Sequence, residues 1–283
     1  MLRDLWRVRE LLFTLIRRDL LVRYQSSVLG FFWSFAKPLA LVAIFHFAFK
    51  VVLQVKSPNP GVPFYLHLLV GILVWSYLAR CVAEGHWAVL SHSNLIKKVK
   101  LPIEVFPITT VAGNLLNFLL GMVVVVPLIL LALPGGRAWN VPGLFAQVAG
   151  FAGLTLLLTA LVQAIAFLVS SLNVFYRDVE SLSEVGLQAW FYATPIVYPA
   201  QLVHKAVESG QLPGWVEPLY WLNPMTPICV AFRRVLLYSA PPLEVSDSTL
   251  LFYLGVAAIT TTALFLISRW VFSQGSRRFA DEV

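Results

Sequence analysis

Arg80 and Glu84 are ionisable residues within an apolar segment of the chain, and their spacing allows an ion pair between them. They are four residues apart, and on a helix this spacing places both side chains on one face, within reach of an ion pair. A charge inside an apolar segment is costly unless it is paired or faces a water-filled cavity. We therefore predict an Arg80–Glu84 ion pair, with gating or the binding of an anionic lipid group as the alternative role.

The remaining polar residues match no catalytic or metal site. The five histidines form no H-x-x-x-H cluster, and the sequence contains neither a G-x-S-x-G elbow nor the G-x-x-x-x-G-K-[ST] loop that holds nucleotide phosphates. Cys81 and Cys229 are far apart in apolar surroundings, so we expect buried free thiols rather than a disulfide or a metal site. The sequence predicts no catalytic residue, metal ligand or cofactor on this chain.

The segments that carry these residues are apolar and long enough to cross a membrane. Hydrophobic residues make up 59% of the chain, charged residues make up 12%, and the mean hydropathy is +0.78. Such a chain cannot bury its apolar surface as one soluble globule. Since about 17–25 apolar residues cross a bilayer, we predict a single all-α transmembrane domain with six spans. The predicted spans lie near residues 33–53, 64–90, 104–133, 144–173, 185–200 and 249–271.

A basic amphipathic segment, residues 1–30, precedes the first span. On a helix, Leu12 and Leu15 share one side while Arg18 lies on the other, which is typical of a helix at a membrane surface. Most of the 21 Lys and Arg residues fall in segments on the same side of the membrane as this helix. Because cytoplasmic loops carry the excess of these residues, both termini are predicted to be cytoplasmic.

The region 201–248 is too interrupted by proline to cross the membrane as one helix. Irregular backbone at membrane depth is stable only where protein or a wet cavity surrounds it. We therefore predict short re-entrant or extracytoplasmic helices that form a gate, with a plain extracytoplasmic loop as the alternative. Five spans within residues 31–200 precede this region, and a sixth span (249–272) and a cytoplasmic tail (273–283) follow it.

Four motifs, in order along the chain, resemble one family of membrane proteins. These are the membrane subunits of type-2 ABC exporters, in the branch that exports lipid-linked polysaccharides such as O-antigen, capsule or teichoic acid. The resemblance covers essentially all 283 residues. The motifs are Arg18-Asp19 and Arg23-Tyr24 with Ser27, Leu29-Gly30, Trp33 and Pro38; Asn94-Leu95-Ile96-Lys97-Lys98 with Leu101-Pro102; Asn173-Val174-Phe175-Tyr176-Arg177-Asp178; and Asn223-Pro224-Met225-Thr226-Pro227.

This resemblance implies a homodimer in the cytoplasmic (inner) membrane of a bacterium, docked to two copies of a separate cytoplasmic ABC ATPase. ATP and Mg would bind to the ATPase, which agrees with the missing phosphate-binding loop. Membrane lipids would surround the dimer, and Leu95 and Ile96 are expected to be exposed beside three lysines, ready to enter a groove on the ATPase. The residues that the resemblance assigns to ATPase coupling are Arg18, Arg23, Tyr24, Asn94, Leu95, Ile96, Lys97, Lys98, Lys100, Arg177 and Asp178.

The cargo that the resemblance implies is a lipid-linked polysaccharide, which requires aromatic faces and hydroxyl groups rather than charges along its path. A sugar ring presents an apolar C–H face that an aromatic side chain can cover, and 13% of this chain is aromatic. Aromatic residues of the second and fifth spans are candidates for lining a channel between two subunits, with packing inside the protein as the alternative. They are Trp75, Tyr77, Trp87, Trp190, Phe191, Tyr192 and Tyr198.

Other functions agree less well with the sequence. A type-2 exporter of a drug or another small amphiphile would not need an aromatic path across the whole membrane. A membrane-embedded enzyme acting on lipid-linked sugars needs a placed base or nucleophile, and an ion-coupled transporter needs acidic residues inside its spans. Topology and lipid headgroups explain the net charge of +7, so nucleic acid is not predicted as a partner.

Overall fold

The computed structural model describes residues 9–24, 32–55, 62–98, 101–132, 141–237, 245–276 and 278–279. Most of these residues are helical and none of them lies in a strand, which confirms the predicted all-α class. A seven-residue π-helix, His46–Val52, directly follows the α-helix Trp33–Phe45. The helices are α1 (Arg9–Tyr24), α2 (Trp33–Phe45), α3 (Phe64–Gly85), α4 (Ser93–Lys98), α5 (Val105–Ala132), α6 (Val141–Phe175), α7 (Val179–Tyr192), α8 (Gln201–Glu208), α9 (Val216–Leu222), α10 (Met225–Leu237) and α11 (Asp247–Gly275).

Four helices in the described part of the chain are long and apolar enough to cross a membrane: α3, α5, α6 and α11. They correspond to the second, third, fourth and sixth predicted spans. The first and fifth predicted spans correspond to shorter α-helices, because α2 has 13 residues and α7 has 14. A 14-residue helix is about 21 Å long, which is less than the roughly 30 Å of the hydrocarbon core.

The fifth apolar segment differs from its predicted bounds of 185–200. The helix α7 begins at Val179 and ends at Tyr192, and residues 193–200 form turns. Pro195 and Pro199 explain the early end, because proline donates no hydrogen bond and disfavours helical conformation in the residue before it. The predicted range therefore covers the second half of α7 and the turns that follow it, and it omits the first six residues of the helix.

The central helix of the molecule is α3. Of its 22 residues, 16 are buried, and it packs against α2, α5, α6, α7 and α10. The helix α11 is peripheral, since it packs mainly on α6 and only five of its 29 residues are buried. Cys81 and Cys229 are both buried, as predicted, and no disulfide joins them.

The helix α1 packs against protein through its apolar side. Leu15 is buried in a small cluster with Val105 and Phe106 at the start of α5, and Leu11 and Leu12 pack at the edge of this cluster. The opposite, basic side of the helix is exposed. The amphipathic pattern therefore attaches α1 to the bundle. Residues 1–8 and 25–31 of the predicted interface segment lie outside the described residues.

The two ends of the bundle carry different helices. One end, called the α4 end, carries α1, α4 and the junction of α6 with α7. The other, called the α8 end, carries α8 and the start of α3. At the α8 end, α9 and α10 form a hairpin that turns at Asn223-Pro224. Asn223 bonds to Trp190, whose ring contacts Trp75 in the middle of α3, so the hairpin reaches roughly half-way along that helix.

Candidate functional site

Five aromatic side chains meet at the level where the α9–α10 hairpin turns. The Trp75 ring packs edge-on against Trp190 and Phe191, with ring centroids 5.9 and 5.6 Å apart. Phe191 also stacks on Phe45 of α2 at 5.9 Å and contacts Tyr192 at 5.2 Å. Trp75 is only 8% exposed, whereas Tyr192 is 58% exposed. The aromatic cluster therefore has a buried base and one open ring, that of Tyr192.

The Asn223 side chain connects this cluster to the hairpin. Its Oδ1 accepts hydrogen bonds from Trp190 Nε1 (2.8 Å) and from the backbone N–H of Met225 (3.1 Å). Its Nδ2 donates to Thr194 Oγ1 (3.0 Å) and to the carbonyl of Ala193 (3.3 Å). Asn223 has extended backbone geometry (φ −61°, ψ 114°), as a residue before proline prefers. One amide thus joins the end of α7 to the start of α10.

A buried arginine holds the turn that follows α7. Arg233 of α10 is fully buried; its Nη2 donates to the carbonyl of Ile196 (2.7 Å) and its Nε donates to the carbonyl of His67 (3.1 Å). Gly71 makes room for this guanidinium, because a Cβ at this position would lie 2.5 Å from Nη2. The same turn is held from the other side by Tyr198, whose hydroxyl donates to the carbonyl of Tyr192 (2.9 Å).

At the α4 end, hydrogen bonds fix the turn that follows α3. Trp87 Nε1 donates to Glu180 Oε1 (3.1 Å), and Asn173 Nδ2 donates to the carbonyl of His86 (3.0 Å). Ser183 Oγ donates to a backbone carbonyl of its own helix and therefore accepts from His86 Nε2 (3.0 Å). Burial lowers the pKa of His86, so its imidazole is neutral at pH 7. The start of α7 and the end of α3 consequently move as one unit.

A second contact at the α4 end joins α1 to the 3₁₀ turn before α4. Arg18 Nη2 donates to His92 Nε2 (2.7 Å), and His92 Nδ1 lies 3.0 Å from the carbonyl of Ala88. The His92 ring stacks on Phe106 with centroids 4.5 Å apart. A neutral imidazole with its proton on Nδ1 satisfies both contacts. Displacement of α1 would therefore be transmitted to the segment that leads into α4.

The helix α4 presents polar groups outward and apolar groups inward. Asn94, Lys97 and Lys98 are exposed. Leu95 and Ile96, expected to be exposed to a partner, instead are partly buried against the chain's own α1–α5 cluster. The expectation was wrong because the six-residue α4 has too little backbone of its own to stay ordered and is held by these two side chains.

A comparison with known protein families identifies the family of the chain. Residues 10–237 match the model of the ABC-2 type transporter family. The chain belongs to the ABC-2 type transporter family. It is 29% identical over 290 residues to the O-antigen export system permease protein RfbA of Myxococcus xanthus, with 100% of this chain and 99% of the relative covered. A protein of the same name from Klebsiella pneumoniae is 27% identical over 278 residues, with 96% and 94% covered.

Membership of the ABC-2 type transporter family makes this chain an integral membrane transport subunit rather than an enzyme. Of the aromatic residues predicted to line a path, the structure brings together Trp75, Trp190, Phe191 and Tyr192, and it places Tyr198 beside them. These five residues lie where α7 meets the α9–α10 hairpin of the ABC-2 subunit. The sequence did not indicate that these two short elements are in contact.

Two of the predicted path residues lie elsewhere in this ABC-2 subunit. Tyr77 is 3% exposed, stacks on Phe118 at 5.2 Å and donates to Thr159 Oγ1 at 3.3 Å, so it is a core residue. Trp87 was predicted to lie within the second span (64–90), but α3 ends at Gly85, and the Trp87 indole donates a hydrogen bond at the α4 end instead. Helical spacing alone did not reveal which face of α3 is turned towards α5 and α6.

The predicted ion pair between Arg80 and Glu84 is also replaced by another contact. No ion pair joins these two residues among the described side chains; the Glu84 carboxylate accepts a hydrogen bond from Asn114 Nδ2 of α5 instead. Asn114 is 1% exposed, and a buried amide must find a partner. The contact between neighbouring helices thus prevails over the contact along one helix.

Two of the other predicted coupling residues lie at the α4 end. Arg177 and Asp178 are exposed at the junction of α6 and α7. Lys100 lies outside the described residues, as do the side chains of Arg23 and Tyr24. Sequence reasoning missed the roles of His92 and Arg233. The available signal for Arg233 was the Arg233-Arg234 pair within the otherwise apolar run of α10.

Proposed function

We propose that two copies of this chain form the membrane path of an ATP-driven exporter, and that a separate ABC ATPase binds at the α4 end. The cargo that we propose is a lipid-linked polysaccharide moved across the cytoplasmic membrane. The observation that carries the proposal is similarity over 96–100% of the chain to relatives named O-antigen export permeases. The open aromatic cluster supports it, because a sugar ring can stack on Tyr192 without a charged site.

The proposed topology has six crossings with both termini in the cytoplasm. The helix α2 with its π-helical end would make the first crossing, and α7 followed by the turns 193–200 would make the fifth. Exposed lysines on α4 support a cytoplasmic position for the α4 end, since cytoplasmic segments carry an excess of Lys and Arg. The α8 end then faces outward.

The function is tested by co-expressing this chain with the ATPase encoded beside it. The purified complex is reconstituted in lipid, and ATP hydrolysis is measured with and without lipid-linked polysaccharide from the host. Co-purification with hydrolysis that responds to the polysaccharide is the expected result. A chain that recruits no ATPase, or a complex whose hydrolysis ignores the polysaccharide, contradicts the proposal.

Reversing both charges on α4, in Lys97→Glu/Lys98→Glu, is expected to weaken binding of the ATPase by roughly ten- to thirtyfold. The reason is the loss of two exposed charge contacts of up to about 1 kcal/mol each. Both side chains are exposed, so the fold should be unaffected. Pull-down of the tagged ATPase at graded concentrations measures the effect.

The control is Lys205→Glu, a single Lys→Glu reversal at an exposed residue of the α8 end. It should leave ATPase binding unchanged. Equal binding by the double variant and by wild type would place the ATPase contact elsewhere.

Tyr192→Ala is expected to reduce polysaccharide export several-fold while the complex still assembles. The substitution removes the open ring of the aromatic cluster, but the backbone carbonyl that accepts from Tyr198 remains. Polysaccharide at the cell surface is measured by quantitative sugar analysis of intact cells. Tyr192→Phe keeps the ring and should export normally; normal export by Tyr192→Ala would exclude this residue from the path.

A further inference from the structure

A second site lies at the α8 end, apart from the aromatic cluster. A cavity of about 540 Å³ opens between α8, α9 and the start of α11, and this volume is within the range of small-molecule sites. Its walls combine aromatic rings with hydroxyl, amide, imidazole and carboxylate groups. Its main lining residues are Gln201, His204, Glu217, Trp221, Ser246 and Tyr253.

One wall of the cavity is a pair of stacked rings. Trp221 of α9 and Tyr253 of α11 are nearly parallel, with an interplanar angle of 22° and centroids 5.4 Å apart. Trp221 is only 6% exposed, so the surrounding helices hold it in place, while Tyr253 is half-buried. Because stacked rings cover each other's facing sides, the pair offers the cavity an outer ring face as an apolar wall, to which the C–H face of a sugar ring is complementary.

The opposite side of the cavity supplies hydrogen-bond acceptors. His204 Nδ1 lies 2.9 Å from Glu217 Oε1, and His204 Nε2 lies 3.1 Å from Glu208 Oε1. The hydrogen bond that His204 donates to Glu217, followed by the charges of both carboxylates, raises the pKa of His204. The imidazole therefore orients the Glu217 carboxylate, whose remaining lone pairs can accept from hydroxyl groups.

The charge of the cavity distinguishes between ligands. No Lys or Arg is present among its described lining residues, and the carboxylates of Glu208 and Glu217 already occupy both ring nitrogens of His204. A phosphate or an anionic lipid headgroup would therefore meet carboxylates rather than an available cation. A neutral sugar brings hydroxyl donors for the Glu217 carboxylate. Burial of an apolar ring face together with satisfied hydroxyls suits a carbohydrate better than any anion.

From this geometry we infer a binding subsite for neutral sugar units, stacked on the Trp221–Tyr253 wall and hydrogen bonded to Glu217. The inference rests on the proposed function, since the sugar is a part of the exported polysaccharide. The subsite is linked to the aromatic cluster through the α9–α10 hairpin, because Trp221 precedes Asn223 by two residues and Asn223 accepts a hydrogen bond from Trp190. A polymer that passes Tyr192 would meet this subsite next on the α8 side.

The subsite is tested by calorimetric titration of the lipid-reconstituted complex with its ATPase. The probe is a mixture of short oligosaccharides released by mild acid from the surface polysaccharide of the host. Tyr253→Leu keeps apolar bulk against Trp221 but removes the ring, and Glu217→Gln keeps the volume but removes the charge. Each should weaken binding by about three- to tenfold, from a stacking or hydrogen-bond contribution of roughly 0.5–1.5 kcal/mol.

The matched control is Phe145→Leu, which removes a ring that is 73% exposed and lies outside the cavity lining. It should bind like wild type. If all four proteins bind alike, or if wild type does not bind while lipid-linked polysaccharide still stimulates its ATPase, the subsite is refuted and the exporter proposal stands. If neither sugar binding nor stimulation is found, both are refuted.

Discussion

Arg233→Ala is expected to lower the free energy of unfolding by roughly 4 kcal/mol, enough to prevent assembly in cells. The arginine is fully buried and donates to the carbonyls of His67 and Ile196. Its removal leaves both carbonyls without these donors, at about 1–3 kcal/mol each, and adds a cavity. The loss is measured as the thermal midpoint of the detergent-purified subunit, together with its yield in membranes.

Two further substitutions separate the hydrogen bonds of Arg233 from its bulk and charge. Arg233→Lys keeps the charge but replaces the planar fork by a single ammonium group, so an intermediate loss is expected. Gly71→Ala leaves Arg233 intact and places a Cβ 2.5 Å from its Nη2 and 2.8 Å from the carbonyl oxygen of Ile196. We expect this small change to be almost as damaging as Arg233→Ala.

The control for Gly71→Ala is Gly153→Ala, since a Cβ at Gly153 meets no atom within 4 Å. Alanine is favoured over glycine in a helix by up to about 1 kcal/mol, so this variant should be neutral or slightly stabilising. The losses from Gly71→Ala and Arg233→Ala should also be less than additive in the double variant, because they affect one contact. Strict additivity would show that the glycine and the arginine act separately.

Asn223→Ala is expected to lower the free energy of unfolding by roughly 2–4 kcal/mol and to reduce export. Four hydrogen bonds converge on this side chain, from or to Trp190, Ala193, Thr194 and Met225. Each contributes about 0.5–1.5 kcal/mol, and alanine can replace none of them. Thermal unfolding and surface polysaccharide are measured on the same preparations and cells.

The control for Asn223→Ala is Asn94→Ala, which removes an exposed amide from α4. A surface substitution of this kind changes stability by no more than about 0.5 kcal/mol. A retained thermal midpoint in Asn223→Ala would mean that the four contacts contribute little, and the joint between α7 and α10 would then depend on packing alone.

The parts of the fold that the sequence predicts well are those that depend on local composition. The long apolar segments become α3, α5, α6 and α11 close to their predicted bounds, because length and hydropathy determine whether a helix can cross a membrane. Family membership is equally secure, since separated motifs in a fixed order carry it. The proline-interrupted region does form short helices, as the irregular backbone requires.

The parts that the sequence misses depend on which helix lies beside which. Glu84 bonds to Asn114 across two helices and Tyr77 faces α5 and α6, and neither contact leaves a signal in the spacing of residues along one helix. Arg233 is satisfied by backbone carbonyls, which every residue has, so no complementary side chain marks its partner. Leu95 and Ile96 read as a docking pair until the packing of α1 is known.

The hydrogen bonds of Asn223 also make the energy of separating α7 from the α9–α10 hairpin depend on the presence of water. The α7 helix and the α9–α10 hairpin each extend only part of the way through the bundle, and they meet at one amide. Separating them in a dry interior would leave donors and acceptors unmatched at about 1–3 kcal/mol each, whereas water or sugar hydroxyls would replace the lost bonds at little net cost. If the path runs between these elements as proposed, a hydrated cargo would lower the energy of parting them, and an empty, dry path would keep them closed against leakage.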